Sequence, residues 1–174
     1  KSATVIGAIF NQLGYRTYIY RDYPSLIRGG HAFSIIRLAQ SRIATHKEKI
    51  DFILALNQDT LNFHKNRAND NCVIIYDADS VKTDEVPANV QLLGVSVSKI
   101  IKEENANEIM LNSCIIGALT TASGIHWEVL DSIFRKEFTK ETDLNLKVAR
   151  RGFDTAKELK KIEPLAQNTL PLST

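Results

Sequence analysis

The 174-residue chain is 44% hydrophobic and 24% charged, enough apolar residue for one sizeable core and too much for a disordered segment. Its formal net charge is only +2, with basic residues dispersed rather than striped, so nucleic acid is a poor candidate partner. Two cysteines, Cys72 and Cys114, sit in apolar segments without CxxC or Cys/His ligand spacing, and read as buried reduced thiols, which suits a cytoplasmic protein.

At the N-terminal end, Ala3, Ile6, Phe10 and Leu13 recur at helical spacing, widened by Val5 and Ile9, and Gly14 follows as a C-terminal cap. The pattern predicts a helix over Ser2 to Leu13. Arg16 to Arg21 and Phe33 to Leu38 are β-branched and aromatic, and read as strands. The stretch between them, Tyr23-Pro24-Ser25-Leu26-Ile27-Arg28-Gly29-Gly30-His31, is longer than a hairpin needs. Pro24 fixes its own φ and pushes Tyr23 toward extended backbone, while the two glycines permit close backbone approach. Ile50 to Leu56 reads as an internal strand ending at Asn57, and Gln58 to Arg67 as a helix with Leu61 and His64 on one face, broken by Asn69-Asp70-Asn71. Cys72 to Tyr76 and Val90 to Val95 are further strands, separated by a loop that carries Pro87.

From there the pattern turns helical, over Val97 to Glu103, Glu108 to Ser123, Trp127 to Phe138 and Asp143 to Ile162. The Glu108 to Ser123 segment is apolar nearly all round and is expected to be the most buried helix. Its apolar run, Ile109 to Ile125, is interrupted by Asn112, Ser113, Thr120, Thr121 and Ser123 and falls short of a membrane span. Thr142-Asp143 offers a cap for the last helix. Gly152 inside it costs about 1 kcal/mol against alanine, which points to tight packing or a bend. Helices alternating with strands predict an α/β class, a three-layer α/β/α fold with a mainly parallel central sheet and a helical C-terminal part. Residues 1–163 form the domain, and 164–174, bracketed by Pro164 and Pro171, a tail or linker.

The search for chemistry gives few constellations. Ser25, His31 and Asp22 lie close in sequence, but there is no GxSxG elbow to make a triad of them. His31, His46, His64 and His126 are scattered without metal-ligand spacing. Asp77 and Asp79 follow a strand and could face a ligand at the carboxyl edge of the sheet, although turn capping is the favoured reading; Asn57 poses the same choice. Glu103-Glu104 and Arg150-Arg151 read as solvated helix faces, and Trp127 as a packing anchor. Arg28 beside Gly29-Gly30 offers a guanidinium fork and backbone N–H groups suited to phosphate, carboxylate or a partner's carbonyls, with a hinge stabilised by a salt bridge as the equal alternative.

The loop Tyr23 to His31, the strand after it, the run Ile50-Asp51-Phe52-Ile53-Leu54-Ala55-Leu56-Asn57, and Asn112 with Gly117-Ala118-Leu119 together resemble the gamma domain of 2-oxoacid:acceptor (ferredoxin) oxidoreductases, in the form fused ahead of the alpha region. The resemblance covers almost the whole chain. It implies membership of an enzyme of anaerobic metabolism that oxidatively decarboxylates a 2-oxo acid to acyl-CoA and reduces ferredoxin. It further implies thiamine diphosphate, Mg and iron–sulfur clusters held in the alpha and beta parts, an oligomeric complex, and an isolated domain that is inactive. Ser25, Arg28, Gly29, Gly30 and His31 would then form an interface or cofactor-side loop rather than a catalytic or metal site. Such domains begin with a strand and a glycine-rich turn, so a strand is expected ahead of Lys1. The alternative function is a stand-alone nucleotide- or anion-binding α/β module.

Overall fold

The computed structural model describes residues 1–23 and 30–165. It begins with helix α1 (Ser2–Gln12), which turns at Gly14, whose φ of +92° is the left-handed conformation that glycine adopts without a Cβ penalty. β1 (Arg16–Asp22) and β2 (Phe33–Ala39) follow, paired antiparallel from Arg16 opposite Ala39 to Asp22 opposite Phe33. They form a sheet of their own, apart from the parallel one. β3 (Ile50–Ala55), β4 (Ala68–Asp77) and β5 (Gln91–Val95) make the parallel sheet, in the order β3-β4-β5. The crossover between β3 and β4 is α2 (Gln58–His64), closed by a 3₁₀ turn over Lys65–Arg67. Four helices complete the chain: α3 (Val97–Glu103), α4 (Leu111–Ala122), α5 (Trp127–Glu137) and α6 (Thr142–Thr155).

The parallel sheet is covered on both faces. Val73, Ile75, Leu93 and Val95 join a core with Val5, Phe10, Ile116, Leu130 and Val148 from α1, α4, α5 and α6. On the other face Ile53, Ala55, Cys72 and Ile74 pack with Leu61 of α2 and Val81. That is the expected three-layer arrangement, and nine of the twelve residues of α4 are buried in it, as its all-round apolar pattern predicts. α4 and α6 cross at two glycines. A Cβ on Gly117 would overlap the Ala149 carbonyl, and one on Gly152 would overlap the Cys114 carbonyl. The helical cost of Gly152 is therefore the cost of a close backbone approach. Ser113 Oγ donates to Asn145 Oδ1 at 2.7 Å and Thr121 Oγ1 to the Phe153 carbonyl at 2.7 Å across the same contact.

Several sequence expectations need correction. Among the described residues β3 is an edge strand of the parallel sheet, not an internal one; its apolar run is explained by Phe52, Leu54 and Leu56, which pack into the helical core beside an open cleft. Asn69 to Asn71 do not break the chain before a strand but belong to β4, with Asn71 at φ 58°, a left-handed position asparagine tolerates, near the register shift opposite Ile50 and Phe52. α6 ends at Thr155 rather than Ile162. Beyond Ala156, which is extended, the Leu159 and Lys160 N–H groups donate to the Ala122 carbonyl, that of Ile162 to Ser123 and that of Leu165 to Leu13. Leu159 and Ile162 are apolar because this return segment packs on the core, not because it is helical. Thr142 is the first residue of α6, its hydroxyl donating back to the Phe138 carbonyl, and Glu141 at φ 50° is the capping position.

Candidate functional site

Of the loop residues expected to face a ligand or partner, Ser25, Arg28 and Gly29 lie outside the described residues. Gly30 is exposed and His31 half-buried, at the entry to β2. His31 meets the C-terminal end of α2. Its ring is stacked on Phe63 (5.1 Å between centroids, 3° between planes) and on Phe33 (5.7 Å, 16°), and lies 5.4 Å from His64. Phe33 meets His64 edge-on at 4.7 Å. Phe63 is 64% exposed although it takes part in this stack, and Tyr23, at the other end of the loop, is 74% exposed. His64 is buried, and its Nδ1 faces Arg67 Nη1 at 3.4 Å. Burial, the Arg67 guanidinium and His31 together hold the His64 imidazole below its ordinary pKa. The histidines had read as scattered. No spacing rule joins positions 33 residues apart, and only the packing of the loop against α2 brings two of them together. The other two stay apart: His46 stacks on Tyr20 at 4.9 Å, and His126 is exposed ahead of α5.

A cleft of about 750 Å³ opens beside these rings. Phe33 to Leu38 of β2 form one wall, Ile50 to Leu56 along the open side of β3 the other, and Ile115, Ile116 and Leu119 of α4 line it with Ile6 and Phe10 of α1. β2 and β3 belong to separate sheets, so the edge of β3 that faces the cleft has no strand partner among the described residues.

The strand-end carboxylates resolve as caps. Asp77, 2% exposed, accepts five hydrogen bonds: from the Asp79 (3.2 Å), Val97 (3.0 Å) and Ser98 (3.4 Å) N–H groups, and from the Ser80 and Ser98 hydroxyls, both at 2.8 Å. Burial pushes its carboxyl up, but these bonds outweigh burial and hold it below the usual carboxylate range. Asp79 accepts from the Lys99 N–H at 2.9 Å, and Asn57 Oδ1 accepts from both the N–H and the hydroxyl of Thr60 at 2.9 Å. With their acceptors occupied, all three position helices. Glu103-Glu104 and Arg151 were expected to be solvated faces; instead Arg151 bonds both carboxylates at 2.6 Å and ties α6 to α3, with Lys147 also on Glu104 at 2.6 Å. Arg150 lies over Trp127 at 4.9 Å, which packs on Phe153, the anchoring role the sequence reading gave it.

The two cysteines do not fit an iron–sulfur cluster. Cys72 and Cys114 are fully buried, and burial pushes their thiols up to about 11 and about 12, the opposite of the thiolates an iron–sulfur cluster needs. Among the described residues no group of three His, Cys, Asp or Glu side chains could hold a metal ion, and no helix is long and apolar enough to cross a membrane.

The 2-oxoglutarate synthase subunit KorC of Methanocaldococcus jannaschii is 28% identical over 143 residues, 80% of this chain and 76% of that protein. The structure of the 2-oxoglutarate:ferredoxin oxidoreductase from Magnetococcus marinus superposes with a TM-score of 0.79 at 20% identity, covering 94% of this chain and 31% of that one. The gamma subunit of the keto/oxoacid ferredoxin oxidoreductase from Geobacter sulfurreducens superposes with a TM-score of 0.73 at 19% identity, covering 89% of each. The same fold thus stands as nearly a whole subunit in one relative and as about a third of a longer chain in another. Residues 1–155 match the pyruvate ferredoxin/flavodoxin oxidoreductase family, and the chain belongs to it.

Proposed function

We propose that this chain is the gamma component of a 2-oxoacid:ferredoxin oxidoreductase, supplying scaffold and inter-domain surface and, through the loop Ser25, Arg28, Gly29, Gly30 and His31, contacts on the coenzyme A side. The family match across residues 1–155 carries the reading. The KorC relative is named as a subunit of such an enzyme, and the Magnetococcus structure is described with 2-oxoglutarate, coenzyme A and succinyl-CoA bound. Thiamine diphosphate would supply carbanion chemistry and iron–sulfur clusters single-electron transfer; the two buried thiols here do not suit a cluster, and the reading puts both groups in the alpha and beta parts. What this chain can do with its own groups is bind and orient. A guanidinium fork next to two glycines holds a phosphate or carboxylate bidentately while the backbone approaches it closely. The alternative of a free-standing anion-binding module is not favoured, because the relatives are parts of larger oxidoreductases.

The test is Arg28→Ala in the assembled complex. Loss of one charge-assisted contact is expected to raise the KM for coenzyme A about 10-fold, equivalent to about 1.4 kcal/mol, or to weaken subunit assembly by a similar factor. Unchanged assembly together with unchanged coenzyme A kinetics would overturn the loop's role.

A further inference from the structure

The rings of His31, Phe33, Phe63 and His64 join two parts of the molecule that share no strand pairing: the β1–β2 hairpin and the α2 side of the parallel sheet. They do so at the cleft, which both Phe33 and His64 line. Nε2 of each histidine is buried without a hydrogen-bond partner. Arg67 can only donate, so its approach to His64 Nδ1 makes that nitrogen the acceptor and places the His64 proton on Nε2. A second proton on His64 must go to Nδ1, against a guanidinium 3.4 Å away. The His31 ring, 5.4 Å away and tilted by 50°, adds to what opposes a charge on His64.

We propose that the His31–His64 contact is a pH-sensitive clasp, which holds the start of β2 onto α2 beside the cleft while His64 is neutral and which releases when His64 is protonated. The charged groups around it favour release. On α2 and its 3₁₀ turn, Arg67 faces His64, while the Lys65 ammonium is turned away to Glu85 at 2.9 Å. From the preceding β2–β3 connection the Lys47 and Glu48 carbonyls bind Arg67, at 3.5 and 3.0 Å, keeping its charge in place, and Lys47 and Lys49 line the same cleft as His64. On the hairpin, Asp22 is opposite Phe33 in the strand register, and among the described residues no carboxylate forms an ion pair with either histidine. The low His64 pKa fixes the sign: a group depressed by folding contributes stability above its unfolded value, near 6.5, and loses it as the pH falls through the folded value. The clasp is independent of the oxidoreductase reading, since it needs only these rings.

Amide hydrogen exchange on the full natural chain between pH 8 and pH 5, corrected for intrinsic exchange, tests the clasp. Local opening at residues 30–33 and 58–64 is expected to grow as the pH falls below about 6.5, by up to about 10-fold per pH unit for the one His64 proton, with α4 and α6 unchanged. The double variant His31→Phe/His64→Phe keeps the stack without the protons and is expected to be flat with pH. His31→Phe alone, which leaves His64 and its Arg67 neighbour intact, is expected to keep the pH dependence. Opening in the wild type that does not follow pH, or that follows it equally in the double variant, would overturn the proposal.

Discussion

The α4–α6 crossing and the loop–α2 contact bring two segments together by opposite means. At the crossing, two glycines let backbone meet backbone, and any side chain at either position collides with a carbonyl. At the loop contact, four rings cluster, two pairs stacked, one tilted and one edge-on, with one ring 64% exposed and two polar nitrogens unsatisfied. The first geometry has a single solution, because close-packed backbone has no soft coordinate along which to relax. The second is held by stacked and edge-on ring contacts worth about 1 kcal/mol each, and such contacts can part without unfolding the domain. The loop proposed to meet a ligand or partner adjoins the softer of the two.

The sharpest way to break this contrast is Gly152→Val. Its Cβ would overlap the Cys114 carbonyl, and neither helix can move without reopening the core around Phe134 and Leu146. A loss of about 4 kcal/mol or more is expected in chemical denaturation, beyond ordinary overpacking because the obstacle is backbone. A loss under about 1 kcal/mol would show the crossing to be as deformable as the loop contact. Asp77→Ala should come next, at about 3 kcal/mol, since it strands the N–H groups at the start of α3 and two serine hydroxyls. The pH dependence separates the regions too. The depressed Asp77 carboxyl contributes stability above its unfolded value near 4 and loses it as the pH falls through the folded value, well below the range in which the histidine contact titrates. Urea midpoints measured from pH 7 to pH 3 should therefore fall less in Asp77→Ala than in the wild type.

What could be read from the sequence follows the same division. α3 over Val97–Glu103 agrees residue for residue with its pattern, and α1, α4 and α5 agree to within a turn, because each presents an apolar face to one core and so has one period. The reading failed where burial came from elsewhere. Leu159 and Ile162 kept the period of α6 but are buried by a return segment that runs on Ala122 and Ser123. Ile50 to Ala55 looked internal because a helix-lined cleft hides its apolar side chains as well as a neighbouring strand would. The loop proposed to meet a ligand or partner stands out by composition alone, through its proline, glycines and arginine. The partner of His31 did not, because His64 looks like any half-apolar helix residue until the fold puts Phe33 and Phe63 beside it. Asp77 was ambiguous for a similar reason: a carboxylate after a strand is a cap or a ligand depending on donors about 20 residues away.

The smallest stability effect belongs to the most exposed ring. Phe63→Ala removes one face of the His31 stack, but most of the Phe63 surface is already in water, so little burial is lost. The expected change is under about 1 kcal/mol in urea midpoint. Its effect on local opening should be larger than its effect on global stability, because His31 would be left with Phe33 and His64 alone. Exchange at residues 30–33 is therefore expected to rise about 5-fold at pH 8, corresponding to about 1 kcal/mol, while α4 keeps its protection. If α4 lost protection in parallel, the loop contact would be part of the cooperative core, and the two regions would differ in appearance but not in stability.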